Sequence, residues 1–211
     1  MAKDFVEPEE LSLKDGEYLV KLARESVEKH FVGEKPSLEN APAKLKRKGA
    51  AFVTIESLIG SSRVLRGCIG FIEPIAPLVN VVVEVAIAAA FQDPRFPPLR
   101  ISELPTVVFE VSVLSRMKKL PKNPEERLKS IVIGKMGLMV KRGLFSGLLL
   151  PQVAVEYNWG PEEFLDNTCL KAGLEEKCWE DENTDVYYFT ARVFQEETPG
   201  GRVVERILSR E

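Results

Sequence analysis

Apolar side chains recur at helical spacing at Tyr18, Leu19, Leu22, Ala23, Val27 and Phe31, behind a capping box at Ser12-Leu13-Lys14-Asp15 and ahead of a closing Gly33. This predicts an amphipathic surface helix. His30, the single histidine, falls in its last turn, where the negative helix end favours an imidazolium and a structural role. Residues 34–48 read as a Pro-, Ser-, Asn- and Lys-bearing loop. Residues 50–59 and 63–72 read as two strands of a hairpin around Gly60-Ser61-Ser62. Residues 77–90 are apolar almost all round and predict a buried helix with Pro77 at its first position. Along 106–115 a strand puts Val107, Phe109, Val111 and Val113 on one face and Glu110 on the other.

Further on, Asn123-Pro124-Glu125-Glu126 starts a helix that runs to about Ser130. Strands at 131–140 and 144–150 follow around Arg142-Gly143, with Gly134 and Gly137 bending the first. Pro161, Glu162, Glu163 and Gly173 punctuate a helix within 158–173. Residues 185–195 alternate as a strand, and Thr198-Pro199-Gly200-Gly201 turns into a charged tail. Hairpin-like strand pairs with helices between them point to an α+β fold with a largely antiparallel sheet and flanking helices, rather than doubly wound α/β.

Composition narrows the setting. With 211 residues, 45% hydrophobic and 29% charged, and a net charge of -3, the chain is long enough to bury roughly 70% of its extended surface without metal or disulfide staples. The apolar stretch at 79–91 is broken by Asn80 and Glu84 and is too short for a membrane span, which needs roughly 18 residues. The opening residues have no signal-peptide pattern, so a cytoplasmic location is expected. Cys68, Cys169 and Cys178 lack the paired spacing of a structural zinc site, and no metal is expected. Neither Gly-x-Gly-x-x-Gly nor Gly-x-x-x-x-Gly-Lys-[Ser/Thr] occurs, so no nucleotide cofactor is expected. Gly143-Leu144-Phe145-Ser146-Gly147 misses a hydrolase elbow by one residue. Scarce Gln and Asn lean towards a thermophile, where cytosolic disulfides occur, and a Cys169–Cys178 bridge stays open.

Candidate chemistry gathers around Arg66-Gly67-Cys68-Ile69-Gly70. Two glycines inside a strand imply a bulge or the close approach of another backbone or a ligand. Cys68 reads as a thiolate nucleophile, its pKa lowered by Arg66, with Gly67 and Gly70 leaving N–H groups open to an anion. The structural reading, which the missing base favours, is a small buried thiol packed where a larger residue would clash. No imidazole base is evident, which leaves Asp93, Glu110 or Lys135 as substitutes. The proline-stiffened loop Asp93-Pro94-Arg95-Phe96-Pro97-Pro98 holds Asp93 and Arg95 in place. Arg66 and Arg95 could form a paired guanidinium site for a carboxylate or phosphate, or Arg95 could brace its loop against Asp93. Lys135 and Gln152 are further donor candidates, with a solvated turn and a loop-fixing hydrogen bond as the alternatives. The cluster Lys44, Lys46, Arg47 and Lys48 is the sole local argument for nucleic acid in a mildly acidic chain. Trp159, with Tyr157 and Phe164, reads as core packing.

Taken together, Leu65-Arg66-Gly67-Cys68-Ile69-Gly70, Asp93-Pro94-Arg95-Phe96-Pro97-Pro98, Glu103-Leu104, Val111-Ser112-Val113-Leu114-Ser115, Gly134-Lys135-Met136-Gly137-Leu138, Leu150-Pro151-Gln152-Val153-Ala154, Trp159, Phe164-Leu165 and Lys171-Ala172-Gly173-Leu174 resemble the AMMECR family. The resemblance implies one domain over residues 1–211, built as two unequal subdomains enclosing a cleft beside the Leu-Arg-Gly-Cys-Ile-Gly strand. It also implies a dioxygenase-like or radical-SAM protein partner. Relatives often carry His where this chain has Met136, so a role for an imidazole there does not transfer. The expected function is a small-molecule enzyme or enzyme accessory with an anion-binding cleft; the alternative is a non-catalytic module for nucleic acid or a protein partner.

Overall fold

The computed structural model describes residues 4–207. In chain order it contains α1 (Leu13–His30), β1 (Lys48–Ile59), β2 (Ser62–Pro77), α2 (Leu78–Phe91), β3 (Val107–Leu114), β4 (Lys118–Lys119), α3 (Pro124–Ser130), β5 (Met136–Arg142), β6 (Phe145–Leu149), α4 (Pro151–Glu156), α5 (Pro161–Lys171), β7 (Asp185–Glu196) and β8 (Val203–Arg206). The registered strand pairs are antiparallel, and the fold is α+β as the sequence pattern predicts. Chain contacts divide it into two compact units, one of residues up to Ser115 together with Arg192–Arg206, the other built on Arg116–Ala191.

In the first unit β1 lies between β2 and β3, and the last residues of β7 pair with β8. Ala51, Val53 and Ile55 of β1 and Phe109, Val111 and Val113 of β3 share a core with the apolar faces of α1 and α2. Strand alternation therefore turns Phe52, Thr54 and Glu56 to the opposite face. The α1 start is fixed by the reciprocal bonds of Ser12 and Asp15.

In the second unit β4 and β5 pair with the first part of β7, and β6 pairs with β5. Leu138, Val140 and Val186 of these strands share a core with Phe164, Leu165 and Trp179. A Cys169–Cys178 disulfide joins α5 to the turn that carries Trp179, whose indole N–H donates to Asp166 at 2.7 Å. Arg127 of α3 is wholly buried. It donates to the carbonyls of Pro121 at 2.6 Å, Thr184 at 3.1 Å and Trp179.

Several predicted boundaries move. β2 continues past 72 to Pro77, which caps α2 instead of opening it. The apolar run 131–133 is not strand: Gly134 at φ 80° turns the chain, and β5 starts at Met136. The loop after Leu150 contains α4, and α5 starts at Pro161 on a Gly160 cap. A single 3-10 turn interrupts the 34–48 loop at Ala43–Lys46. Part of the charged tail is β8, and β4 was not foreseen. Tyr157 is not core: it is exposed and stacks on the partly buried Trp159 at 4.9 Å, while Phe164 is buried as expected.

Candidate functional site

Arg66 is the extra residue of a bulge, because Ile55 pairs with Gly67 while Glu56 pairs with Leu65. Gly67 has a packing reason. A Cβ there would collide with the Ala89 carbonyl oxygen of α2, and one at Gly70 would collide with the Phe52 ring across the strand pair. Both glycines thus permit close approach of protein groups, and one of the two N–H groups between them is already used by a side chain.

That N–H belongs to Cys68 and donates to Asp93 Oδ2 at 2.9 Å, while the Cys68 carbonyl accepts from Arg95 Nη2 at 3.3 Å. Asp93 also accepts from the Arg95 backbone N–H at 3.1 Å, from Nε at 3.0 Å and from Nη2 at 2.7 Å. The Asp-Pro-Arg loop therefore grips the free side of β2 at one residue. Asp93 is buried, whereas the Arg95 side chain is 50% exposed. Arg95 holds the Asp93 carboxyl far below the ordinary carboxylate range. A carboxylate so saturated with donors is a poor base.

Arg66 does not join Arg95. Its Nε and Nη2 donate to Glu103 at 2.8 and 3.2 Å, and Nη2 also reaches the Pro98 carbonyl at 3.4 Å. Its Nη1 is buried and has no partner among the described residues. The bond from Arg66 holds the Glu103 carboxyl below its usual range. The two guanidinium groups thus each carry their own carboxylate.

Cys68, half-buried, faces Thr54 across the strand pair, and the Thr54 hydroxyl donates to its Sγ at 3.3 Å. Thr54 in turn stands in register with Glu110 of β3, which is buried and lies 3.3 Å from Arg206. Ser112 follows on the same face of β3, buried, with its Oγ unpartnered among the described residues. Burial raises the Cys68 thiol above its ordinary pKa; Thr54 and Arg95 oppose this, while Glu110 and Asp93 add to it. The thiol is protonated at neutral pH. Native-state alkylation by iodoacetamide should accordingly show a pH–rate midpoint above that of an unfolded thiol. Glu110→Gln should lower that midpoint and Arg95→Ala should raise it. A midpoint at or below the unfolded value would contradict the assigned environment.

Lys135 and Gln152 lie in the second unit, Lys135 exposed in the turn before β5 and Gln152 buried in the first turn of α4 with Oε1 unpartnered among the described residues. Three members of the basic cluster form ion pairs: Lys44 with Asp15 at 2.8 Å, Arg47 with Glu10, and Lys48 with Asp4 at 3.5 Å. Lys46 donates to the Glu39 carbonyl at 2.9 Å. His30 is exposed at the end of α1, its ring 4.6 Å from that of Phe91. No group of three or more metal-ligating side chains occurs among the described residues, and no helix there is long and apolar enough to cross a membrane.

Thr54 and Ser112 were absent from the candidate set. The signal for Thr54 was its alternation with Val53 and Ile55, which assigns it to the face of Cys68 once the hairpin register is known. Glu103 stood in a recognised segment, but its pairing with Arg66 spans 37 residues and leaves no local trace.

A family model described as AMMECR1 matches residues 20–194. A protein of Aeropyrum pernix is 48% identical over 98% of this chain and 89% of its own length. One of Pyrococcus furiosus is 48% identical over 92% of this chain and 93% of its own. The crystal structure of an uncharacterized protein of Pyrococcus horikoshii is similar at a TM-score of 0.88 and 45% identity, covering 92% of this chain and 98% of that one.

Proposed function

The chain belongs to the AMMECR1 family, and from that premise we propose that it is a small-molecule enzyme, or an accessory to one, that takes the anionic group of a metabolite on Arg95 beside Cys68. The observation that carries this reading is the state of the Arg95 side chain. Its Nε and Nη2 are spent on Asp93 and Cys68, its Nη1 has no protein acceptor among the described residues, and half of it faces outward. A guanidinium oriented in advance loses little entropy when it binds a carboxylate or phosphate oxygen. Arg66 then serves as a brace for the loop through Glu103, and Cys68 contributes a neutral thiol to the site wall.

The test is a thermal-shift series with inorganic phosphate, pyrophosphate and small dicarboxylates. At least one should raise the midpoint by about 5–11 °C when present at a hundred times its Kd. The shift should vanish in Arg95→Ala and persist in Arg100→Ala, an exposed arginine on the same connection. Equal loss in both variants, or no response of the wild type to any of the anions, would remove the reading.

A further inference from the structure

Besides the short β4 and β8, which flank β7, β2 in the first unit and β6 in the second end the strand order, and they are built differently. Among the described residues β2 pairs only with β1, and β6 only with β5. The free side of β2 is closed at three places: by the Arg66 bulge, by Asp93 and Arg95 on the Cys68 backbone, and by Pro74, which has no donor to offer. These are the devices by which sheet edges avoid other chains. β6 has none of them. The run from Leu144 to Leu150 holds no charged residue and no proline, and the β5–β6 register is regular. Leu144 is fully exposed and Phe145 is 56% exposed.

We propose that β6 pairs with β6 of a second copy of this chain, antiparallel about Gly147. Arg142 and Phe145 close the hairpin over a two-residue turn, with Gly143 at φ 61°. In such a ladder alternate residues bond inward, so the N–H and C=O of Ser146 and Leu148 point away from β5. None of these groups has a partner among the described residues. A two-fold axis at Gly147 sets Ser146 opposite Leu148 of the second copy, and the reverse. Each outward residue then meets another outward residue, and two reciprocal pairs of main-chain bonds form.

The same axis sets Phe145 opposite Leu149, apolar against apolar, with no like charges meeting along the run. Pro151 has no N–H, so the ladder stops there, and the Gly143 turn stops it at the other end. This register is complementary to itself, and that is what selects a second copy over an unrelated strand.

Sedimentation velocity over a concentration series tests the pairing. The wild type should show a reversible monomer–dimer equilibrium. Ser146→Lys, on an exposed position, and Leu148→Pro, which deletes one outward donor, should each raise the dimer Kd at least about tenfold. Thermal melting at low protein concentration identifies any variant that fails to fold; Ser146→Lys lies on the surface and keeps the test open if Leu148→Pro does not fold. A monomeric wild type at its highest soluble concentration would overturn the proposal. So would a dimer unaffected by Ser146→Lys in a folded protein.

Discussion

Arg127→Met is expected to destabilise the second unit by about 3 to 6 kcal/mol, a large share of the roughly 5–15 kcal/mol of a typical domain. The guanidinium is wholly buried and has carbonyls as its partners, those of Pro121, Trp179 and Thr184. Burial lowers its pKa, an effect Asp185 opposes from nearby. Methionine fills much of the volume but donates nothing, so each abandoned buried carbonyl costs about 1–3 kcal/mol. Both tryptophans, Trp159 and Trp179, belong to this unit, so tryptophan fluorescence in urea follows its unfolding directly. An unchanged midpoint would show that water or rearranged backbone replaces the arginine at little cost.

The second large effect falls in the first unit. Glu196, at the end of β7, is buried and accepts from Arg24 Nε at 2.7 Å and Nη2 at 2.6 Å, and from the Phe109 N–H at 3.1 Å. Arg24 Nη2 also donates to the Val107 carbonyl at 2.7 Å, and its guanidinium lies 4.8 Å above the Phe109 ring. Glu196→Gln leaves a largely buried guanidinium without its buried counter-charge, with only the half-exposed Glu28 at 3.6 Å remaining, and should cost about 3–5 kcal/mol. Arg24→Met leaves the carboxylate uncompensated and should cost a similar amount. Changing both together should cost less than the two added, since neither then strands a charge. Denaturant unfolding followed by circular dichroism reads all three, and strict additivity would mean that the pair is not a unit.

Legibility in the sequence followed the length of the element and the range of the interaction. α1 and α5 were visible because a cap, a repeating apolar face and a glycine stop agree with one another. β4, β8 and α4 were not, because two to four strand residues hold at most two periods of alternation and six helical residues fewer than two turns. The apolar run 131–133 misled because β-branched residues fit a strand locally, and only the tertiary fold turns Gly134 into the left-handed region. At the candidate site, Asp93 and Arg95 were readable as a pair two residues apart. The carboxylate on Arg66 was not, nor was the alignment of Cys68, Thr54 and Glu110, which depends on strand register over more than forty residues. The buried Arg127 and the Arg24–Glu196 pair gave no signal, since a charged residue in a helix or at a strand end reads as surface until its surroundings are known.

β7 serves both units, pairing with β5 through its first residues and with β8 through its last. The first unit is therefore split by 76 residues of the second, Arg116–Ala191, and this sets an order on biosynthesis. Arg24 and its carboxylate are 172 residues apart, so at about 5–20 residues per second roughly 9 to 34 seconds separate their appearance on the ribosome. The second unit is continuous in the nascent chain, apart from its last residues, and can form before the first has its closing strand. Until Glu196 emerges, β3 and α1 are kept waiting with an unanswered N–H and an unanswered cation.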